Sequence, residues 1–218
     1  MAKAHSEFQA ASASTHDHDA LHLPNSFLRM SQDDISCSVG AGCAAPPAFT
    51  AKRAIHTVAT APPLQVSQWL NHDGAVTLDD LRGKVVVLHA FQMLCPGCVA
   101  HGIPQAIKIH HTFRRDDLVV LGLHTVFEHH AVMGPQALQV FLHEYRVPFP
   151  VGVDMPGSGS DIPLTMQAYG LQGTPSLLVI DRAGALRLNH FGQLDDLVVG
   201  ALLGQLVGEP AAAPADRQ

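Results

Sequence analysis

The chain has 218 residues, 47% of them hydrophobic, which is enough for one domain of ordinary size with a substantial core and an extension. Its net charge of 13 − 19 = −6 with neutral histidines argues against a nucleic-acid-binding surface. It contains no run of 18 or more apolar residues, so the sequence predicts no membrane insertion.

Residues 1–60 differ in composition from the rest of the chain. Alanine, serine, histidine, proline and aspartate dominate there, and the apolar residues follow no sustained period. We predict a disordered or weakly structured extension over 1–60, a domain over 61–209 and a flexible tail over 210–218. The first thirty residues lack the apolar centre of a signal peptide, so we expect a cytoplasmic protein.

The extension carries residue types that bind metals. The residues concerned are His16, Asp17, His18, Asp19, His22, Cys37 and Cys43. They are compatible with a loose metal-binding tract, and the two cysteines with a disulfide or additional ligands. We favour the simpler interpretation, a solvated tail. Four cysteines in a cytoplasmic chain favour catalytic or metal-binding use over structural disulfides.

The predicted elements of the domain begin with an extended segment over 64–70. An apolar, β-prone strand follows at 85–88 and leads into a helix with Val99, Ile103 and Ile107 spaced every four residues. A second strand is predicted over 118–125, and a helix begins at Pro135.

The second half of the domain continues this alternation. A short strand over 151–153 and a short helix over 162–169 precede two strands, 176–181 and 186–190, that form an antiparallel hairpin. The last helix has an apolar face that we assign to Leu194, Leu197, Val198, Ala201 and Leu202. This order predicts an α/β fold with a central mixed β-sheet flanked by helices.

Cys95-Pro96-Gly97-Cys98 lies where the first buried strand gives way to a helix. A helix N-terminus favours thiolate over thiol, and Pro96 suits the first helical position. Three interpretations compete: a redox pair, half of a zinc site, or two buried structural cysteines. Since the chain has no second Cys-x-x-Cys, we favour the redox pair.

The cysteine motif, followed by Gly173-Thr174-Pro175 before the hairpin, resembles the thioredoxin superfamily and most closely its TlpA-type thiol-disulfide oxidoreductases. The resemblance covers residues 62–208. It implies a thioredoxin fold, an attacking Cys95, a resolving Cys98 and a Cys95–Cys98 disulfide. It also implies a cis peptide bond before Pro175, and substrate binding by the Thr174 backbone and by the Pro96-Gly97 pair.

This sequence departs from the family at four positions near the cysteines. Leu94 replaces a tryptophan, the inner pair is Pro-Gly rather than Gly-Pro, and the helix-kinking proline, Pro104, comes one residue late. His89 occupies the position of a buried aspartate or asparagine. We include it among the catalytic residues as an acceptor of the Cys98 proton; the alternative is a half-buried strand histidine bonded to a backbone carbonyl.

The leading hypothesis is therefore an enzyme that reduces or oxidises protein disulfides without a cofactor or metal. Its partners would be proteins that carry a disulfide or a dithiol. Thiol pKa values in such motifs span about 3.5 to 7.5, so both directions of reaction are compatible with the sequence.

Two alternatives remain. A peroxiredoxin-like peroxide reductase would use the same cysteines, although Gln92 stands where such enzymes carry threonine. A non-enzymatic metal-binding protein would combine Cys95 and Cys98 with histidines near the same end of the sheet. The candidates are His124, Glu128, His129 and His130, for which a solvated loop is the simpler interpretation.

Overall fold

A computed structural model describes residues 59–210. The histidine-rich tract with His16, His18 and His22 lies outside the described residues, and so do Cys37 and Cys43.

Six strands form one mixed sheet. They are β1 Val66–Leu70, β2 Val85–Phe91, β3 Leu118–His124, β4 Val151–Asp154, β5 Ser176–Ile180 and β6 Leu186–Phe191. Their order across the sheet is β1-β4-β3-β2-β5-β6. β2, β3 and β4 pair in parallel, whereas β1, β5 and β6 are antiparallel to their neighbours. The predicted mixed sheet and its C-terminal hairpin are confirmed.

The three longer helices pack on one face of this sheet, and the other face packs against residues of the segment 61–81 and residues just after the short helix. The α-helices are α1 Ile103–Thr112, α2 Pro135–Glu144, α3 Leu164–Ala168 and α4 Asp196–Gly208. A π-helical turn, Cys98–Gly102, precedes α1, and a 3-10 turn, His130–Val132, precedes α2. Within residues 59–210, no helix combines the length and apolar character needed to cross a bilayer.

The central strand β2 is buried along its whole length. Val85, Val87 and Phe91 pack into the cluster that includes the apolar residues of α1, α2 and α4, and the alternate residues pack into the cluster on the opposite face. Both faces of the strand are therefore covered, which explains its continuous apolar sequence. His89 belongs to the face of β2 that α1 and α4 cover.

The apolar face predicted for α4 is wrong. The buried residues of this helix are Val199, Leu203 and Leu206, whereas the side chains of Leu197 and Val198 are 81% and 59% exposed. The helix carries valine or leucine on nearly every side, so periodicity alone does not select the buried face. The rotation of the helix fits the contacts at its N-terminus, where Lys108 and Gln105 of α1 bind Asp196 at 2.9 and 2.8 Å.

Backbone hydrogen bonding to the domain begins at Ala59, two residues before the predicted boundary. The carbonyl of Ala59 accepts a hydrogen bond from Leu186 N at 3.0 Å, and Ala61 N donates to the carbonyl of Gly184 at 2.9 Å. Thr60 forms an isolated bridge with Ala185 between them. This short segment therefore extends the pairing of the β5–β6 hairpin.

Candidate active site

The two cysteines lie at the carboxyl end of β2. From β2 the chain crosses to β3 on one side, while β5 pairs with β2 on the other, so the cysteines occupy the switch point where α/β sheets commonly bind ligands. Cys95 N donates to the carbonyl of Gln92 at 3.3 Å and closes the turn after the strand. The carbonyl of Cys95 then accepts from Val99 N at 3.1 Å, which begins the helix.

The two sulfurs differ in exposure and in protonation. Cys95 is partly exposed, Cys98 is fully buried, and both are free thiols in this structure. The backbone N–H of Cys98 donates to Cys95 Sγ at 3.2 Å, and Cys95 Sγ donates to the carbonyl of Thr174 at 3.5 Å. Burial first, and then the hydrogen bond with Cys95, raise the pKa of the Cys98 thiol to about 12. Cys98 is therefore the sulfur that keeps its proton.

We expect an alkylating reagent to modify Cys95 before Cys98. The reagent needs an accessible thiolate, and Cys98 is both buried and protonated. Brief treatment of the reduced protein with iodoacetamide, followed by peptide mass mapping, measures the order of labelling. The denatured protein is the control, because both cysteines should react there. Faster labelling of Cys98 in the folded protein would contradict the assignment of roles.

The loop before β5 lies against the cysteine turn. The Thr174–Pro175 peptide bond is cis. A Cβ added to Gly97 would lie 3.3 Å from Pro175 Cδ, and one added to Gly102 would lie 3.3 Å from Pro175 Cβ. The structure thus brings together Cys95, Gly97, Thr174 and Pro175, while Pro96 is exposed beside them.

His89 lies beneath this layer. It is only 2% exposed, its ring stacks on Phe91 with centroids 5.8 Å apart, and its Nε2 has no hydrogen-bond partner. The half-buried histidine considered from the sequence is therefore wrong in its degree of burial. Burial lowers the pKa of His89 to about 4, so the imidazole is neutral at neutral pH. A direct transfer of the Cys98 proton to this ring is therefore unfavourable, because burial raises the pKa of the thiol and lowers the pKa of the imidazole.

Gly102 is the residue of this site that the sequence reasoning missed. It ends the π turn, and a Cβ at this position would lie 2.3 Å from His89 Cε1 and 2.6 Å from His89 Nε2. Two sequence signals point to it together: a glycine inside a helical pattern, and the displaced Pro104.

The histidines at the end of β3 and in the loop that follows differ in burial. His124 is buried beside Phe91, with ring centroids 5.4 Å apart, whereas His129 and His130 are exposed. Glu128 accepts a hydrogen bond from Gln92 Nε2 at 3.3 Å. Between residues 59 and 210, no three His, Cys, Asp or Glu side chains form a group that could hold a metal ion. The metal-binding alternative therefore gains no support from this part of the chain.

Solved structures with the same architecture include close relatives. A crystal structure of a thioredoxin-like superfamily protein is 58% identical, with a TM-score of 0.68, over 70% of this chain and 98% of that one. A thiol-disulfide isomerase from Corynebacterium glutamicum is 55% identical, with a TM-score of 0.66, over 69% of this chain and 98% of that one. The protein assigned as thiol:disulfide interchange protein DsbE from Chlorobium tepidum is 23% identical, with a TM-score of 0.55, over 68% of this chain and 96% of that one, and shows the shared fold.

A curated protein matches a shorter part of the chain. Sixty residues, 27% of this chain, are 42% identical to NHL repeat-containing protein 2 of Gallus gallus, and the match spans 8% of that protein.

The fold, the cysteine pair at its switch point and these neighbours define a thioredoxin-like oxidoreductase. Residues 49–189 match the AhpC/TSA family, and the chain belongs to that family.

Proposed function

We propose that this protein reduces or oxidises disulfides of partner proteins through the dithiol of Cys95 and Cys98. The observation that carries the proposal is the asymmetry of the two sulfurs. A half-exposed Cys95 lies against the Thr174 carbonyl, and a buried, protonated Cys98 donates its N–H to the Cys95 sulfur. The 55% identity to a thiol-disulfide isomerase supports this chemistry.

In the reducing direction, the reaction takes two steps. The Cys95 thiolate attacks one sulfur of the partner disulfide, so a Cys95–partner bond forms and the second partner sulfur leaves and takes up a proton. Cys98 then loses its proton and attacks Cys95 Sγ. The Cys95–Cys98 bond forms, the bond to the partner breaks, and the released partner sulfur takes up a proton. Two electrons pass from the dithiol to the partner, and the reverse sequence oxidises a partner dithiol.

The residues around Cys95 suit an extended partner segment. We assign Thr174, Pro96 and Gly97 to partner binding, because they border the exposed sulfur. Pro175 lies close to the cysteine turn, because a Cβ added to Gly97 or to Gly102 would be 3.3 Å from its ring. We keep His89 in the site as a neutral, buried group that can relay a proton, rather than as the final acceptor.

A peroxide reductase is the second candidate, because the AhpC/TSA match favours it. Cys95 would attack the peroxide O–O bond and become a sulfenic acid, and Cys98 would then displace water and form the same disulfide. The side chain of Gln92, which stands in place of threonine, already uses both of its polar atoms in hydrogen bonds. Its Oε1 accepts from Phe127 N at 3.4 Å and its Nε2 donates to Glu128 at 3.3 Å.

A thiol-disulfide equilibrium with glutathione tests the proposal. The protein is incubated at a series of reduced-to-oxidised glutathione ratios, quenched with acid and alkylated, and Cys95 and Cys98 are counted by peptide mass. We expect the free thiols of both cysteines to disappear together in one two-electron transition, because they form an intramolecular disulfide. Cysteines that titrate separately, or remain free at every ratio, would contradict the proposal.

A parallel experiment measures how fast hydrogen peroxide oxidises the dithiol. Under the proposal, peroxide oxidises the dithiol much more slowly than an insulin disulfide does at equal concentration. Faster oxidation by peroxide would favour the second candidate.

A further inference from the structure

A cavity of about 430 Å³ lies at the carboxyl ends of the parallel strands β3 and β4. His124 is the last residue of β3, Asp154 is the last residue of β4, and both line the cavity. Most of the remaining lining comes from the loop after β3 and the loop before α3. Ligand cavities in proteins measure about 300–1,000 Å³, and open α/β sheets bind ligands outside the carboxyl ends of their strands. The size and position of this cavity therefore suit a small molecule.

This cavity is separate from the site of the two cysteines. Among the described residues, those that line it include none from the turn Cys95–Cys98 and none from the Thr174–Pro175 loop. The ring of His124 packs instead against Phe91 of β2, with centroids 5.4 Å apart. A molecule bound here would therefore not occupy the place of a disulfide partner.

His124 is the feature that points to a ligand. Its side chain is 1% exposed, and within residues 59–210 neither Nδ1 nor Nε2 has a hydrogen-bond partner. No other residue in that range has two buried side-chain polar atoms without a partner. Buried polar groups are ordinarily hydrogen-bonded, and an unpaired one lowers stability. A ligand that hydrogen-bonds this ring would remove that cost.

The charges around the cavity favour an uncharged ligand. Of the described residues that line it, none is lysine or arginine, whereas Asp154 and Asp161 are carboxylates. An anion would therefore meet two like charges. The buried Asp154 already accepts hydrogen bonds from Thr165 N and Met166 N, at 2.9 and 3.0 Å, at the start of α3. A cation deep in the cavity would lack a free counter-charge and would be costly to bury.

The walls of the cavity are mainly apolar. They are formed by valine, methionine and proline side chains, at Val126, Met133, Pro135, Val153, Pro156 and Pro163. A methionine sulfur makes favourable contacts with aromatic rings, so an aromatic body suits this wall.

The imidazole of His124 determines the polar group that such a molecule needs. Burial lowers the pKa of His124 to about 4, so at neutral pH the ring has one donor nitrogen and one acceptor nitrogen. A hydroxyl group both donates and accepts hydrogen bonds. One hydroxyl therefore fits either tautomer of the ring.

We propose that this cavity binds a small, uncharged aromatic molecule that carries a hydroxyl group. The aromatic ring contacts the methionine and the proline side chains of the wall, and the hydroxyl forms a hydrogen bond with His124. The inference goes beyond the proposed function and does not depend on it.

Titration of the full, isotope-labelled chain with 4-methylphenol tests the proposal, and toluene is the comparison because it lacks the hydroxyl. Amide resonances are followed by nuclear magnetic resonance at neutral pH. We expect the signals of Val126, Met133 and Val153 to shift and saturate. We also expect 4-methylphenol to bind on the order of tenfold more tightly than toluene, although toluene is the more hydrophobic compound. The absence of saturable shifts, or equal affinity for the two compounds, would overturn the inference.

His124→Phe keeps a ring of similar size and removes both nitrogens. We expect this variant to bind toluene at least as tightly as 4-methylphenol, because the hydroxyl then enters the cavity without a partner. A folded variant, checked by circular dichroism, that still prefers 4-methylphenol would overturn the role of His124. If this variant does not fold, the comparison of two surface variants decides.

These two variants are His130→Trp and His143→Trp. His130 is an exposed residue that lines the cavity, so an indole there should obstruct entry and weaken the binding of 4-methylphenol on the order of tenfold. His143 is an exposed histidine of α2 outside this lining, and its variant should bind like the unmodified protein. Equal affinity of the two variants would overturn the inference. The titration involves no thiol reaction, so its failure leaves the proposed function intact, and failure of the glutathione equilibrium leaves this site intact.

Discussion

Cys95→Ser is expected to lower the rate of insulin disulfide reduction on the order of a thousandfold or more, to the uncatalysed level. Cys98→Ser is expected instead to accumulate covalent complexes. The reason is the geometry of the pair: Cys95 is the sulfur that reaches the surface, and Cys98 is buried beneath it with its N–H on Cys95 Sγ. Without Cys98 the first step proceeds and the second cannot, so the partner stays attached to Cys95.

Each variant is mixed with insulin that carries its disulfides. Non-reducing electrophoresis then measures the covalent complexes that have been trapped. Mass mapping then identifies the cysteine that carries the partner. The double variant is the control and should trap nothing. Equal trapping by both single variants would contradict the division of roles, and so would full reductase activity in Cys95→Ser.

Acidification from pH 7 to pH 4 is expected to reduce the free energy of unfolding by about 6 kcal/mol through His89 and His124. Burial lowers the pKa of each from 6.5 to about 4. Above pH 6.5 both are neutral in the folded and the unfolded chain, so they add no pH dependence. Below pH 6.5 the unfolded chain binds protons at these two histidines, whereas the folded chain does not bind them until about pH 4. The free energy of unfolding therefore falls as the pH decreases between these two values. Each histidine accounts for roughly 3 kcal/mol.

Two other groups modify this loss. His110 also has a pKa lowered to about 4, first by burial and then by Arg115 and His111, but solvent reaches it and screens its contribution. Burial raises the pKa of Asp154, although this carboxylate accepts hydrogen bonds from Thr165 N and Met166 N. A raised carboxyl pKa favours the folded state as pH falls, so Asp154 offsets part of the loss.

Urea unfolding at pH 7, 6, 5 and 4 measures the slope of the free energy of unfolding against pH. His124→Leu should reduce it by about one bound proton near pH 5, whereas His143→Leu, at an exposed position of α2, should leave it unchanged. A stability that does not change between pH 6.5 and pH 4.5 in the unmodified protein would show that these histidines do not carry the penalty.

The strands and the cysteine turn were predictable because local signals agree there. The run Val85–Leu88 is apolar on both faces, the turn before Leu186 favours a hairpin, and Pro96 begins a helix. The buried face of α4 was not predictable, since leucines and valines surround that helix and its observed rotation includes a contact between Asp196 and Lys108 of α1. Such a contact joins residues far apart in the chain, which periodicity does not register.

The environment of the histidines could not be predicted from the sequence either. His89 and His124 lie in strand segments whose alternation predicts only which face each occupies. Their complete burial follows from packing, in which Phe91 contacts both rings. The π turn left one trace in the sequence, the displaced Pro104, and its significance follows only from the contact between Gly102 and His89.

That contact also restricts the order in which this sequence can evolve. Residues 89 and 102 belong to different elements of the fold, yet a methyl group at 102 is incompatible with an imidazole at 89. A smaller side chain at 89 removes the overlap and leaves only the 3.3 Å approach to Pro175, which a small shift relieves. Replacement of His89 is therefore permissive and must come first, whereas the same two substitutions in the reverse order pass through a protein with a distorted active site. The effects of the two changes are non-additive, and descendants of this sequence should retain glycine at 102 for as long as they retain histidine at 89.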